Sequence, residues 1–314
     1  MKKWLLIIIS LLLLFSFSFF LYLYLNPLRF IDRLVRPLKI VRQSTAILNW
    51  NNETRQYLQI TFQRNKADTF CVTISRPVKA TSPRLPVIVL LGGLEIGRHS
   101  LNYIPKHGQN IIVAYEYPYR PKYWYEGTPL QQIPLIRQSV LVVPGQVSQL
   151  VDWLHQQSWA DTNRISLLGY SFGALAVPSV LRIMQLHQIK IDGAIMAYGG
   201  ANLCQILKAN LKTIPSYFRP IVAGLASLAI RPVEPALHLP HLKGKFLLIN
   251  GQFDHQIPAP CWRTLHQLTP QSKKIILLKE GHLHPRKKAL IQKVITLSYK
   301  WLAQNKLIHE LKLE

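Results

Sequence analysis

"RISLLGYSFGALAVPSV", residues 164–180, changes character at its centre. Its first half is the apolar run of a buried strand, and its second half is spaced like a helix. Gly169, Tyr170, Ser171, Phe172 and Gly173 stand at the join. A strand that turns directly into a helix forces the turn residue into a strained backbone conformation, and helix and strand can then approach only past small neighbours. Gly169, Gly173 and Ala174 meet that need. The side chain at the tip projects above the carboxyl edge of the sheet. It also sits at a helix N-terminus, where unpaired N–H groups favour negative charge. This is the geometry wanted by a nucleophile whose attack creates an oxyanion, and Ser171 occupies it.

On either side the chain alternates strand with helix. "PVIVLLGG" (86–93), "NIIVAYEYP" (110–118), "IDGAIMAYG" (191–199), "GKFLLING" (244–251) and "KKIILLKEG" (273–281) are apolar runs of strand length. Val147, Leu150, Val151 and Leu154 share one helix face, as do Leu290, Val294, Leu297 and Trp301. The alternation predicts an α/β fold: a mostly parallel sheet with helices on both faces. "YLQITFQ" (57–63) and "FCVTISR" (70–76), separated by a polar turn, predict a hairpin ahead of it. Residues 201–243 hold five prolines and the apolar stretch "IVAGLASLAI", too much for a connecting loop, and are expected to form a helical cap.

A serine nucleophile needs a base, and the base an orienting acid. Asp254 lies in the turn after the strand 244–251. His282 follows the next strand, so both fall at the same sheet edge as Ser171. The G-x-S-x-G pattern, the Gly-x-x-Asp-x-x-x-Pro turn at 251–258 and the Gly-His at 281–282 resemble the α/β-hydrolase family over most of residues 55–305. The resemblance implies the chain order Ser171, Asp254, His282. It also implies an oxyanion hole made by the backbone N–H of Phe172 and one from the loop after the strand 86–93, either Gly93 or Leu94. Many members of the family have His-Gly at that loop, where this chain has Leu91-Gly92-Gly93. His284 competes with His282 for the base, and Glu280 and Asp192 compete with Asp254 for the acid.

Composition limits the alternatives. The 314 residues carry 38 Lys+Arg against 14 Asp+Glu, a formal charge of +24, which favours contact with anionic surfaces. The basic residues are scattered with no zinc-finger, RRM or helix-turn-helix signature, so nucleic acid is not expected as a partner. Cys71, Cys204 and Cys261 contain no CxxC pair, which argues against a metal knuckle. His238 and His241 have no carboxylate beside them, and no Gly-Lys-Ser/Thr loop exists, so neither a metal nor a nucleotide cofactor is expected.

The uncharged run at residues 4–25 is read as an uncleaved single-pass transmembrane anchor. The flanking lysines and arginines do not decide which face the rest of the chain occupies. The expected organisation is an anchor at 1–26, a basic juxtamembrane linker at 27–54 and the hydrolase domain at 55–314, with the cap at 201–243. The aromatic-rich stretch 115–127 follows a strand at the active edge and is a candidate lining for an apolar pocket. Together these readings point to a membrane-anchored serine hydrolase. It would cleave an ester, thioester or amide through an acyl-enzyme, with a small-molecule or lipid-like acyl substrate and an anionic lipid surface as partners. An acyltransferase with the same triad, or a silent scaffold that binds a partner or anionic lipid, is the alternative.

Overall fold

The middle of the sheet consists of strands with no polar face. In the computed structural model, which describes residues 2–34, 37–66, 68–94, 96–118 and 129–309, β4 (Leu85–Leu91), β7 (Gly193–Ala197) and β8 (Phe246–Gly251) are buried at every position. Such strands require cover on both sides. Successive side chains point to opposite faces, and the packing follows. Val87, Val89 and Leu91 of β4 join one core with Val147, Leu150 and Val151 of α2 (Pro129–His155) and Val177 of α3 (Phe172–Leu186). Ile88 and Leu90 join the other core, with Leu290, Val294 and Trp301 of α8 (Lys288–Gln304).

Among the described residues nine strands make one sheet. The others are β1 (Lys39–Trp50), β2 (Glu53–Asn65), β3 (Asp68–Pro77), β5 (Ile111–Glu116), β6 (Ala160–Tyr170) and β9 (Lys273–Leu278). Their order is β1-β2-β3-β5-β4-β6-β7-β8-β9. From β5 to β9 all pairings are parallel, whereas β1, β2 and β3 are antiparallel to one another and β3 is antiparallel to β5. The chain runs from β4 to β5 on one side and then crosses to β6 on the other. In open α/β sheets ligands bind at such a reversal, beyond the carboxyl ends of the flanking strands, here β4 and β6.

The expected hairpin is β2 with β3, paired Thr61 to Cys71 and Phe62 to Phe70. Residues 39–50, expected within a linker, form β1 instead. Asn51 and Asn52, both at positive φ, make the two-residue turn into β2. Between β7 and β8 the chain forms α4 (Leu203–Asn210), α5 (Arg219–Ala229) and the short α6 (Pro235–His238). Between β8 and β9 it forms α7 (Ala259–Leu268).

The expected transmembrane helix needs correction. Residues 2–25 do form a helix, α1 (Lys2–Leu25). Among the described residues, however, no helix is long and apolar enough to cross a membrane.

Candidate active site

Ser171 is the single residue between β6 and α3. Its backbone has φ 55° and ψ −117°, a region costly for any residue with a Cβ. The surroundings hold it there. The Ser171 N–H donates to the carbonyl of Ala197 at 2.8 Å, continuing the ladder from β6 to β7. The flanking glycines let α3 lie against the sheet. A Cβ at Gly173 would stand 2.1 Å from the Leu91 carbonyl oxygen. One at Gly169 would stand 2.6 Å from both the Gly173 oxygen and Val177 Cγ2.

The other two predicted residues converge on this tip from the ends of β8 and β9. The hydroxyl of Ser171 meets His282 Nε2 at 2.8 Å, and His282 Nδ1 meets Asp254 Oδ2 at 2.7 Å. With Nδ1–H donating to the carboxylate, Nε2 is left to accept the serine proton. The Asp254 side chain is fully buried. Its second oxygen accepts the backbone N–H groups of Gln256 at 2.8 Å and Ile257 at 3.0 Å, so the turn at 251–258 locks the carboxylate in place. The edge of one ring stands against the face of the other between His282 and Tyr198, with centroids 5.6 Å apart and planes at 88°.

The competing candidates lie elsewhere or are otherwise engaged. Asp192 immediately precedes β7, accepts the Ile165 N–H and pairs with Lys190, so it lies at the amino end of β7, away from Ser171. The Nδ1 of His284 accepts the N–H of Arg286 within its own turn. The backbone carbonyl of Glu280 accepts from Phe253, and among the described residues its carboxylate makes no bond to His282. His238 bonds the Pro232 carbonyl inside the α6 region.

Gly93 and Leu94 lie in the loop after β4, and Phe172 opens α3 directly after the nucleophile. A Cβ on Gly93 would stand 4.0 Å from Ser171 Cβ, so this loop flanks the reacting atom. Tyr117 is a further residue here that the sequence reading did not single out. It is buried. Its hydroxyl donates to the Gly92 carbonyl at 2.6 Å, and its ring meets that of Phe172 edge to face at 5.1 Å. Burial pushes its phenol well above the usual tyrosine range, so it remains a donor. In a trans peptide the C=O and the following N–H point in opposite directions. Fixing the Gly92 oxygen on Tyr117 therefore fixes the direction of the Gly93 N–H. The signal was present in the sequence, since Tyr117 belongs to the aromatic stretch 115–127. Residues 119–127 of that stretch lie outside the described residues.

No family model matches the sequence, and no curated protein matches it. Solved structures do. Acetyl xylan esterase 1 from Thermoanaerobacterium sp. superposes with a TM-score of 0.63 at 13% identity, over 89% of this chain and 93% of that one. An acetyl xylan esterase from Paenibacillus sp. R4 gives 0.60 at 15% identity, over 89% and 94%. The carboxylesterase Cest-2923 from Lactobacillus plantarum gives 0.56 at 14%, over 82% and 100%. At such identities the likeness speaks for the fold, which is that of the α/β-hydrolases.

Proposed function

We propose that this α/β-hydrolase-fold chain is a serine hydrolase that cleaves a carboxylic ester through an acyl-enzyme. One observation carries the reading: an unbroken Ser171–His282–Asp254 hydrogen-bond relay at a strained elbow, with bonds of 2.8 and 2.7 Å. Ser171 Oγ attacks the carbonyl carbon while its proton passes to His282 Nε2. The oxyanion accepts the N–H groups of Phe172 and Gly93. Collapse breaks the bond to the leaving oxygen, which takes the proton back from His282. Water then attacks the acyl-serine, again giving its proton to His282. The acid departs, and Ser171 recovers its hydrogen. Asp254 stays ionised throughout, holding the imidazole tautomer and stabilising the imidazolium.

The names of the similar structures, esterases of acetylated xylan and a carboxylesterase, support an ester over a thioester or amide as the first substrate class. Exposed apolar side chains at the start of α5, Phe218 and Ile221, support a lipid-like acyl group. A p-nitrophenyl ester series of increasing acyl length separates a short-chain esterase from one that prefers lipid-like chains.

The decisive experiment is covalent labelling with a fluorophosphonate and mapping of the modified residue. Label should appear on Ser171 and be lost in Ser171→Ala and His282→Ala. Turnover in Ser171→Ala should drop by roughly 10⁴ or more if the triad acts as a unit. Undiminished hydrolysis by that variant would sink the mechanism.

A further inference from the structure

A second site lies away from the triad, where the chain leaves α1. A cavity of about 400 Å³ opens there, lined by Arg29, Arg182 and Arg231 among others. Among the described residues no aspartate or glutamate lines it. Among the described residues none of the three guanidiniums pairs with a carboxylate.

Two of the three are held without being neutralised. Arg29 donates to the hydroxyl of Tyr22 and lies 5.3 Å over its ring. Arg231 lies 3.5 Å over the ring of Tyr24 and donates to that residue's carbonyl at 3.3 Å. Stacking on aromatic faces fixes a guanidinium while leaving N–H donors and the full charge free for a ligand. Arg182 reaches the cavity from α3. His238, also in the lining, is pushed down to about 4, chiefly by burial. It is neutral near pH 7, so the positive charge belongs to the arginines. Three like charges around one cavity with no counter-charge repel one another, and an anion placed between them relieves that repulsion.

The neighbouring cavity is mainly apolar, and the Arg137 that also lines it is engaged by the Ala229 carbonyl and the Phe30 ring. It measures about 290 Å³, is walled by Phe20, Phe30, Leu225 and Leu228, and shares Tyr24 and Arg231 with the first. Leu225 is 66% exposed and Leu228 40% exposed, so this apolar wall faces solvent between α1 and α5. The two cavities meet at the stacked Arg231–Tyr24 pair. A charged pocket continuous with an apolar groove matches a ligand that is anionic at one end and aliphatic at the other.

We infer that the paired cavities bind one molecule of an anionic phospholipid, with its phosphodiester among Arg29, Arg182 and Arg231 and an acyl chain in the groove between α1 and α5. The source of the phosphate is the lipid, because a free phosphate would leave the groove uncovered.

The full chain in a non-ionic detergent would be titrated calorimetrically with dihexanoyl phosphatidylglycerol below its critical micelle concentration. Dihexanoyl phosphatidylcholine and inorganic phosphate would be titrated in parallel. Phosphatidylglycerol should bind at least tenfold more tightly than either, since one or two charge-assisted bonds account for about that factor. Arg182→Gln should weaken it by about tenfold on the same reasoning, and Arg182→Glu should abolish binding. Leu225→Asp, at an exposed position, should weaken it without touching the arginines. Fluorophosphonate labelling of Ser171 should persist in all three variants and reports that they are folded. Inorganic phosphate binding as tightly as phosphatidylglycerol would overturn the lipid in favour of a free-phosphate site. Equal affinity for phosphatidylcholine, or unchanged binding in Arg182→Glu, would overturn the site altogether.

Discussion

Tyr117 joins the two halves of the proposed oxyanion hole: its hydroxyl holds the peptide that ends in Gly93, and its ring props Phe172. Tyr117→Phe removes the first function and keeps the second. It should lower kcat about tenfold with KM nearly unchanged, less than the loss on deleting an oxyanion donor outright. Steady-state kinetics would show this, and a purely structural tyrosine would leave kcat alone. Tyr198 makes a contrasting case. It sits at φ 60° directly after β7, and its buried hydroxyl has no hydrogen-bond partner among the described residues. Burial is the first cause that pushes this phenol up, with Asp254 and Glu280 adding to it. Tyr198→Phe keeps the ring against His282 and removes an unsatisfied polar atom. It should leave kcat/KM intact and raise the melting temperature by about 1–2 °C, worth up to roughly 1 kcal/mol. At this scale the sequence was legible wherever a residue's neighbours in the chain state its purpose. Ser171 between glycines is one such case, and Asp254 in a Gly-to-Pro turn after a strand is another. Tyr117 was not legible, because its role depends on a carbonyl 25 positions away.

Among the elements, β2 and β3 are joined to the loop before β5 by one buried cation. Arg55 donates to Ser75 Oγ at 2.7 Å, to the Gly108 carbonyl at 2.6 Å and to the Asn110 carbonyl at 2.6 Å. Glu53 accepts the N–H groups of His107 and Gly108 beside it. Desolvation lowers the arginine's pKa, and Glu53 is the main opposing influence. Arg55→Leu would leave several buried acceptors unpaired and should cost about 3 kcal/mol in urea unfolding. The helix α3 offers a second test. Gly173→Ala would drive a methyl group into the Leu91 carbonyl, so α3 must retreat from β4 and take Phe172 with it. Activity should fall further than stability does. Most elements read correctly from sequence are buried on one or both faces, because burial writes the periodicity; the largely exposed β9 was read from its apolar run instead. β1 was missed because all its described side chains are exposed, which leaves no alternation to read. Its only usable signal was the Asn51-Asn52 pair, a preferred composition for a tight hairpin turn.

For the molecule as a whole, acid should be destabilising through buried neutral imidazoles. His107 is lowered to about 3, first by desolvation and then by the nearby Arg55, and His238 is lowered to about 4, again mainly by burial. An unfolded histidine titrates near 6.5. Between that value and the folded one the unfolded chain binds the extra proton. The stability these groups contribute is therefore complete above about pH 6.5 and is lost as the pH falls toward 4. Each histidine steepens the decline by up to about 1.4 kcal/mol per pH unit. Urea midpoints at pH 7.5 and pH 5 would reveal it, and identical midpoints would refute it.

β9 forms the outer rim of the sheet, paired on one side only, to β8, and partly exposed along most of its length. Ser171 hangs from the fully enclosed middle, whereas the imidazole bonded to its hydroxyl hangs from this margin. Local opening would reach the two unequally. Amide exchange should be faster in β9 and its following loop than in β6 and β7, and mild denaturant should detach His282 while the elbow is still folded. Loss of activity would then precede loss of ellipticity, and it would reverse on dilution, because re-docking one strand restores the base without refolding the core.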